Sequence, residues 1–231
     1  GRFLALVVAL ASSAAGQAAP ISGETHARVS FIDEPLAGYA SLGDIIRYRM
    51  TFDDATPDAE PEVAERGKYD GAIVAAELGL GSQTATDGNR SGYYITIVNN
   101  FATPARDGYI ASNMDTNWSV PLDPFNGYFF GGVGMSFKDV DALMFSDTAL
   151  HAEPNFGGYD EFLLNLAFLK PIAPNTYLGA AIRSDSLVSI ERVPSVSVPV
   201  PGTGWLFGGA LIAFGVSRRA ARTPYDSVRV S

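Results

Sequence analysis

Six carboxylates crowd one stretch of the chain: Asp53, Asp54, Asp58, Glu60, Glu62 and Glu65, with no base until Arg66. Hard cations take about six to eight oxygen ligands. Asp53, Asp54 and Asp58 are therefore the candidate metal ligands, and Ca²⁺ is the one cofactor the residue types suggest. The spacing is not that of an EF-hand loop and no glycine sits at the required bend. A solvated acidic loop is the competing reading. The two histidines, His26 and His151, are far apart in sequence. No Gly-x-Ser-x-Gly elbow accompanies them, so a serine triad is not expected. Asp160 and Glu161 are adjacent and on a strand would face opposite ways, so they cannot flank one glycosidic bond. Asp139 and Asp141 could share a face, but acids at strand ends commonly do no more than solubilise. Gly131-Gly132-Val133-Gly134 lacks the Lys-Ser/Thr of a phosphate loop and reads as a bulge or flat strand segment. No catalytic residue is assigned.

Aromatic side chains offer a different chemistry. Tyr93, Tyr94, Tyr109, Trp118, Tyr128 and Phe129 stand near Asn99, Asn100, Asn113, Asp115, Asn117 and Asn126. Exposed, they would stack on sugar rings between amide hydrogen bonds; buried, they are core. Cysteine is absent, which excludes disulfides, zinc–thiolate sites, iron–sulfur clusters and a Cys nucleophile. A net charge of −9 argues against nucleic acid as a partner.

The elements that would position these residues read as short strands. Ala27, Val29 and Phe31 alternate with His26, Arg28 and Ser30, and Ile46, Tyr48, Met50 and Phe52 alternate with Arg47, Arg49 and Thr51. A period of two with one apolar face marks a half-buried strand. Further candidates are Ala72–Leu80, Tyr93–Val98, Gly108–Ala111, Tyr128–Phe137, Phe162–Leu169 and Leu187–Val193. Phe162–Leu169 is apolar on nearly both faces, which suits a central strand, with a short buried helix as the alternative. Asp70-Gly71, Asp87-Gly88, Asp107-Gly108 and Asn126-Gly127 are expected turns. With no amphipathic helices between them, the strands predict an antiparallel β-sandwich, jelly-roll-like, over residues 20–195. A closed barrel is second.

Charge is unevenly spread. Residues 20–195 hold 24 acids and 11 bases, whereas Arg218, Arg219, Arg222 and Arg229 face only Asp226. The basic excess lies beside two apolar runs. The first, Phe3 to Ala11, follows Arg2 and leads into small residues up to Ala19. That is the pattern of a secretory signal peptide over residues 1–19, too short to span a hydrocarbon core of about 30 Å. The second, residues 204–216, follows Val198-Pro199-Val200-Pro201, opens on Trp205 and stops at Ser217-Arg218-Arg219. Extended back to Gly202, it would span only about 22 Å as a helix. The interfacial indole at one end and snorkelling arginines at the other still favour a membrane helix. The arginines place its basic end in the cytoplasm and the preceding domain outside.

The ordered set Val198-Pro199-Val200-Pro201, Trp205 with its Gly-rich apolar helix, and Arg218-Arg219 resembles the C-terminal sorting signal of PEP-CTERM proteins. It is closest to the variant group whose signal begins Val-Pro-Leu-Pro. The resemblance covers residues 196–222, leaving a tail at 223–231. It implies an exported protein of a Gram-negative bacterium. The implied partners are the inner membrane, an exosortase-type membrane Cys protease that processes the signal near its Pro motif, and exopolysaccharide at the destination. Leu42-Gly43-Asp44, Met50-Thr51-Phe52-Asp53, Ala55-Thr56-Pro57-Asp58 and Gly67-Lys68-Tyr69 resemble the start of a secreted domain common among such cargo. The expected function is thus a cell-surface or extracellular-matrix protein without catalytic activity. The alternatives are a secreted carbohydrate-active hydrolase and a Ca²⁺-dependent lectin-like module.

Overall fold

A computed structural model of the chain describes residues 20–88, 93–114, 118–151, 156 and 158–193. The expected signal peptide, the sorting motif from Val198 to Arg219 with its apolar helix, and the tail lie outside the described residues. So do Asp115 and Asn117. The strands are β1 (Ile21–Arg28), β2 (Phe31–Ile32), β3 (Ile45–Phe52), β4 (Arg66–Asp70), β5 (Ile73–Leu80) and β6 (Gln83–Asp87). They continue with β7 (Tyr94–Phe101), β8 (Arg106–Asn113), β9 (Phe129–Asp139), β10 (Glu161–Ala173), β11 (Thr176–Ser184) and β12 (Ser186–Val193). Helix is confined, among the described residues, to one 3₁₀ turn at Glu34–Leu36. No helix there is long and apolar enough to cross a membrane.

The strands form two antiparallel sheets. One runs β12-β1-β3-β5-β6 and the other β2-β11-β10-β9-β8-β7-β4. Their apolar faces pack into a single core, the arrangement of a β-sandwich. Period-two patterning explains why. On β3 Ile46, Tyr48, Met50 and Phe52 are buried, while Arg47 and Arg49 project outward. β10 lies between β9 and β11, a central strand rather than a helix, with Phe162, Leu164, Leu166 and Phe168 inward and Leu163 outward.

Two aromatic clusters fill much of the interior. Phe137 touches Tyr109, Phe156, Tyr159 and Phe162. Phe130 stands edge-on to Trp118 and Phe168, and Tyr39 extends that cluster. Tyr93, Tyr109, Trp118 and Tyr128 are therefore core residues, each no more than 5% exposed. Of the two readings, these four take the core one, and no sugar-stacking surface forms from them.

The structure corrects the sequence reading elsewhere too. Asp107-Gly108 is not a turn: it lies inside β8, opposite Asp139 and Lys138 of β9. Asn126-Gly127 is one, with φ of 51° and 79° closing the Phe125–Tyr128 bridge. Phe31, expected on an inward face, is 47% exposed and lies under the Arg183 guanidinium. Strands β4, β6 and β11 fall outside the expected set. The Gly131-Gly132 pair sits at a register shift between β9 and β10, as a bulge should.

Candidate functional site

A cavity of about 360 Å³ lies between the two sheets, beside the start of β1 and the end of β12. One wall is apolar: Ile21 from β1, Met50 and Phe52 from β3, and Ile190 from β12. Tyr109 of β8 and Met135 of β9 face them from the other sheet, and Phe156 joins them from the chain between β9 and β10. Strand alternation brings these residues together, because Ile21, Thr25, Met50 and Phe52 all occupy inward positions. Thr25 joins the sheets directly, its hydroxyl donating to the Met135 sulfur at 3.4 Å. Ser22, Gly23, Glu191 and Arg192 complete the lining.

Polar groups buried between the sheets are incompletely paired. The Tyr48 hydroxyl donates to Asn113 Oδ1 at 2.7 Å, tying β3 to β8 across the core. The Asn113 amide nitrogen and the Tyr109 hydroxyl have no hydrogen-bond partner, although Tyr109 is fully buried. Desolvation pushes both phenols far above the ordinary tyrosine range, so they are neutral donors at any working pH. Apolar walls with a few polar atoms suit a small-molecule binding site.

The carboxylates are otherwise engaged. Asp107 and Asp139 are cross-strand neighbours, each 2% exposed. Asp107 accepts from the backbone amides of Asn100 (2.9 Å) and Phe145 (2.7 Å). Asp139 accepts from Asp141 (2.9 Å) and Leu143 (2.7 Å), while Asp160 accepts from Val140 (2.8 Å). Burial raises the Asp139 pKa, but hydrogen bonds from Leu143, Asp141 and Met144 outweigh it and hold the carboxyl below its usual range. These acids fasten the chain that follows β9.

In the acidic stretch, Asp53 accepts from Ala55 N at 3.0 Å. Asp58 accepts from Glu60 N and Lys68 N, both at 2.9 Å. Glu60 pairs with Arg66, and Asp54 Oδ1 has no partner. Among the described residues no group of three or more acidic or histidine side chains converges as metal ligands.

The outer face of the smaller sheet carries a row of charge. Glu191, Glu24, Arg49 and Glu77 stand opposite one another on β12, β1, β3 and β5. Arg49 donates to Glu24 at 2.6 and 2.9 Å and to Glu77 at 3.3 Å. His26 lies 2.7 Å from Glu24, and that hydrogen bond is the main reason the Glu24 carboxyl is held below its usual range. The other histidine, His151, bonds Asp147 at 2.8 Å in an exposed loop. The histidines belong to separate surface pairs and do not share a site.

No protein-family model matches the chain, and neither a curated protein nor a solved structure matches it. Sequence reasoning missed the cavity because its lining comes from β1, β3, β8, β9, β12 and the Phe156 loop, with no local motif joining them.

Proposed function

We propose that this chain is an exported cell-surface or matrix protein without catalytic activity, cargo of an exosortase-type sorting system. The observation that carries it is the order Val198-Pro199-Val200-Pro201, Trp205, apolar run, Arg218-Arg219, behind an acidic domain and an N-terminal apolar leader. In this reading the domain crosses the inner membrane first. The C-terminal helix then holds it there, arginines inward, until processing near the Pro motif releases it to the envelope or exopolysaccharide.

Two features of the described domain support the reading. Ser22 lies opposite Val193 in the β1–β12 pair, so both flanks leave from one corner and a single tether restrains the body at one point. The cross-strand buried carboxylates, Asp107 and Asp139, accept hydrogen bonds from backbone amides, which suits a scaffold better than a hydrolase. For the wrapping we propose a jelly-roll-like variant. The chain crosses between sheets at β1–β2, β2–β3, β3–β4, β4–β5, β6–β7 and β11–β12, around a β7-to-β11 meander.

The test is fractionation of a Gram-negative host carrying an exosortase. The intact chain is expected in the membrane and envelope fractions. A version with Arg218→Ala, Arg219→Ala and Arg222→Ala is expected to lose membrane retention. Recovery of both from the cytoplasm would overturn the proposal.

A further inference from the structure

We infer that the outer face of the seven-stranded sheet is where two copies of this chain meet. Strand register defines that face, because its residues alternate with the buried set that includes Ile95, Tyr109, Met135 and Leu164. One row of opposed residues runs from Asp70 on β4 to Arg183 on β11 through Tyr94, Ser112, Gly134 and Asn165. No charge lies between its ends. The next row, Lys68, Thr96, Ile110, Ser136 and Leu163, is charged only at the β4 edge. Large apolar side chains stand out of this uncharged centre: Ile110 is 38%, Leu163 42% and Tyr177 50% exposed. Exposed apolar bulk with charge confined to the rim is the anatomy of a protein interface.

Charge and area choose the occupant. The rim cations are already matched: Arg66 with Glu60, Lys68 with Asp70 at 3.2 Å, and Lys138 with Glu161 at 2.9 Å. Arg183 lies over the Phe31 ring and donates to Asn165 at 3.3 Å. Charged partners are steered by a face of opposite sign. A face whose charges cancel in place selects neither an acidic protein nor a basic one, nor an anionic membrane. It does admit its own copy, and it spares two bodies of net charge −9 an acid-on-acid contact. The smaller sheet offers no such approach, since Glu24, Glu77 and Glu191 stand on its outer face around Arg49. Sugar is disfavoured by ring geometry: Phe129 and Tyr177 meet at 82° and make no flat platform. Strands β7 to β11, about 4.8 Å apart and rising about 3.3 Å per residue, present on the order of 600 Å² in projection. Side-chain relief and the flanking β4 and β2 bring this near the roughly 800 Å² per partner of a standard interface. The face owes nothing to the sorting signal, so this inference stands independently of the export reading.

The experiment is sedimentation equilibrium of the full chain in a density-matched mild detergent. The expected result is a reversible dimer at about 10 µM chain and nothing larger, because a twofold contact closes on itself. Ile110→Lys with Leu163→Lys places like charges opposite one another and should weaken the dimer at least about a hundredfold. Thr84→Lys, on the outer face of the smaller sheet, should leave it unchanged. A cooperative thermal transition shows that each variant is folded. Should the lysine pair prevent folding, Ile110→Gln with Leu163→Gln carries the same test with a loss of about tenfold. A monomeric intact chain at ten times that concentration overturns the inference. So does an assembly larger than a dimer, or equal weakening by Thr84→Lys. Dimers that survive the folded face variants also overturn it, and place the contact on another surface such as the apolar run at 204–216.

Discussion

Gly132 shows how narrow the tolerance is at a single residue. Its φ of 127° is closed to L side chains, and a Cβ there would strike the Asn113 carbonyl and come within 2.7 Å of Met114 Cα. Both obstacles are backbone and cannot rotate away. Gly132→Ala should therefore destabilise the domain by roughly 2–4 kcal/mol, combining left-handed strain with forced separation of β8 and β9. The check is a urea titration in which the midpoint falls and the slope stays constant. A change below about 0.5 kcal/mol would show that this approach of β8 and β9 is not fixed. The same close contact sits next to Asn113, whose side chain accepts from Tyr48. A slip at Gly132 is thus expected to disturb the inter-sheet hydrogen bond as well as the sheet that contains it.

At the scale of elements, the chain after β9 is held by carboxylates rather than by helical or strand hydrogen bonds. Asp139 ionises more readily folded than unfolded, so the native state binds its proton less tightly. Its contribution is complete above the unfolded carboxylate range, about pH 4, and is lost as pH falls through the lower, folded value. Glu24 acts in the same direction, its carboxylate favoured mainly by His26. Stability should accordingly drop between about pH 5 and pH 2, and Asp139→Asn should flatten that acid limb while lowering stability at neutral pH. Unfolding midpoints at pH 6 and pH 3 test this; an unchanged difference in the variant would refute it.

Elements also separate what the sequence disclosed from what it concealed. β3 carries large apolar side chains at alternate positions and its periodicity found it, while β10 was legible as a short run apolar on nearly both faces. β6 is Gln-Thr-Ala-Thr-Asp, with only Ala85 and Asp87 buried, so no apolar stripe betrayed it. β11 exposes Tyr177 and Leu178 and buries Ala180 and Ala181, which inverts the usual cue. Asp107-Gly108 resembled a turn because the pair suits one. In the fold the aspartate is needed as a buried anchor for two backbone amides, a long-range demand that local spacing does not express. The cavity was hidden for the same reason. Strand alternation announces that Thr25 and Tyr109 point inward but not that they line one cavity, since residues 84 positions apart are brought together only by sheet packing.

For the whole molecule the pairing of the first strand with the last decides most. Ser22 and Val193 are paired across β1 and β12, and Cα atoms so paired lie about 4.5–5.5 Å apart. On the proposed reading, a sorting signal attached there could be cut away without unravelling a strand, provided the β1–β12 seam holds by itself. Circular permutation tests that directly. Val193 would be joined to Ile21 by a linker of about five Gly and Ser residues, and the chain reopened between Pro174 and Asn175. That β10–β11 turn is exposed, and Asn175 has a positive φ of 57°. Bridging so short a gap costs little loop entropy, and the new ends interrupt no ladder. The permuted domain should unfold cooperatively, with a thermal midpoint within about 10 °C of residues 20–193 in native order. A permuted chain without a cooperative transition, while the native-order domain retains one, would mean that the seam depends on the flanks. Release from a membrane tether would then cost the fold itself.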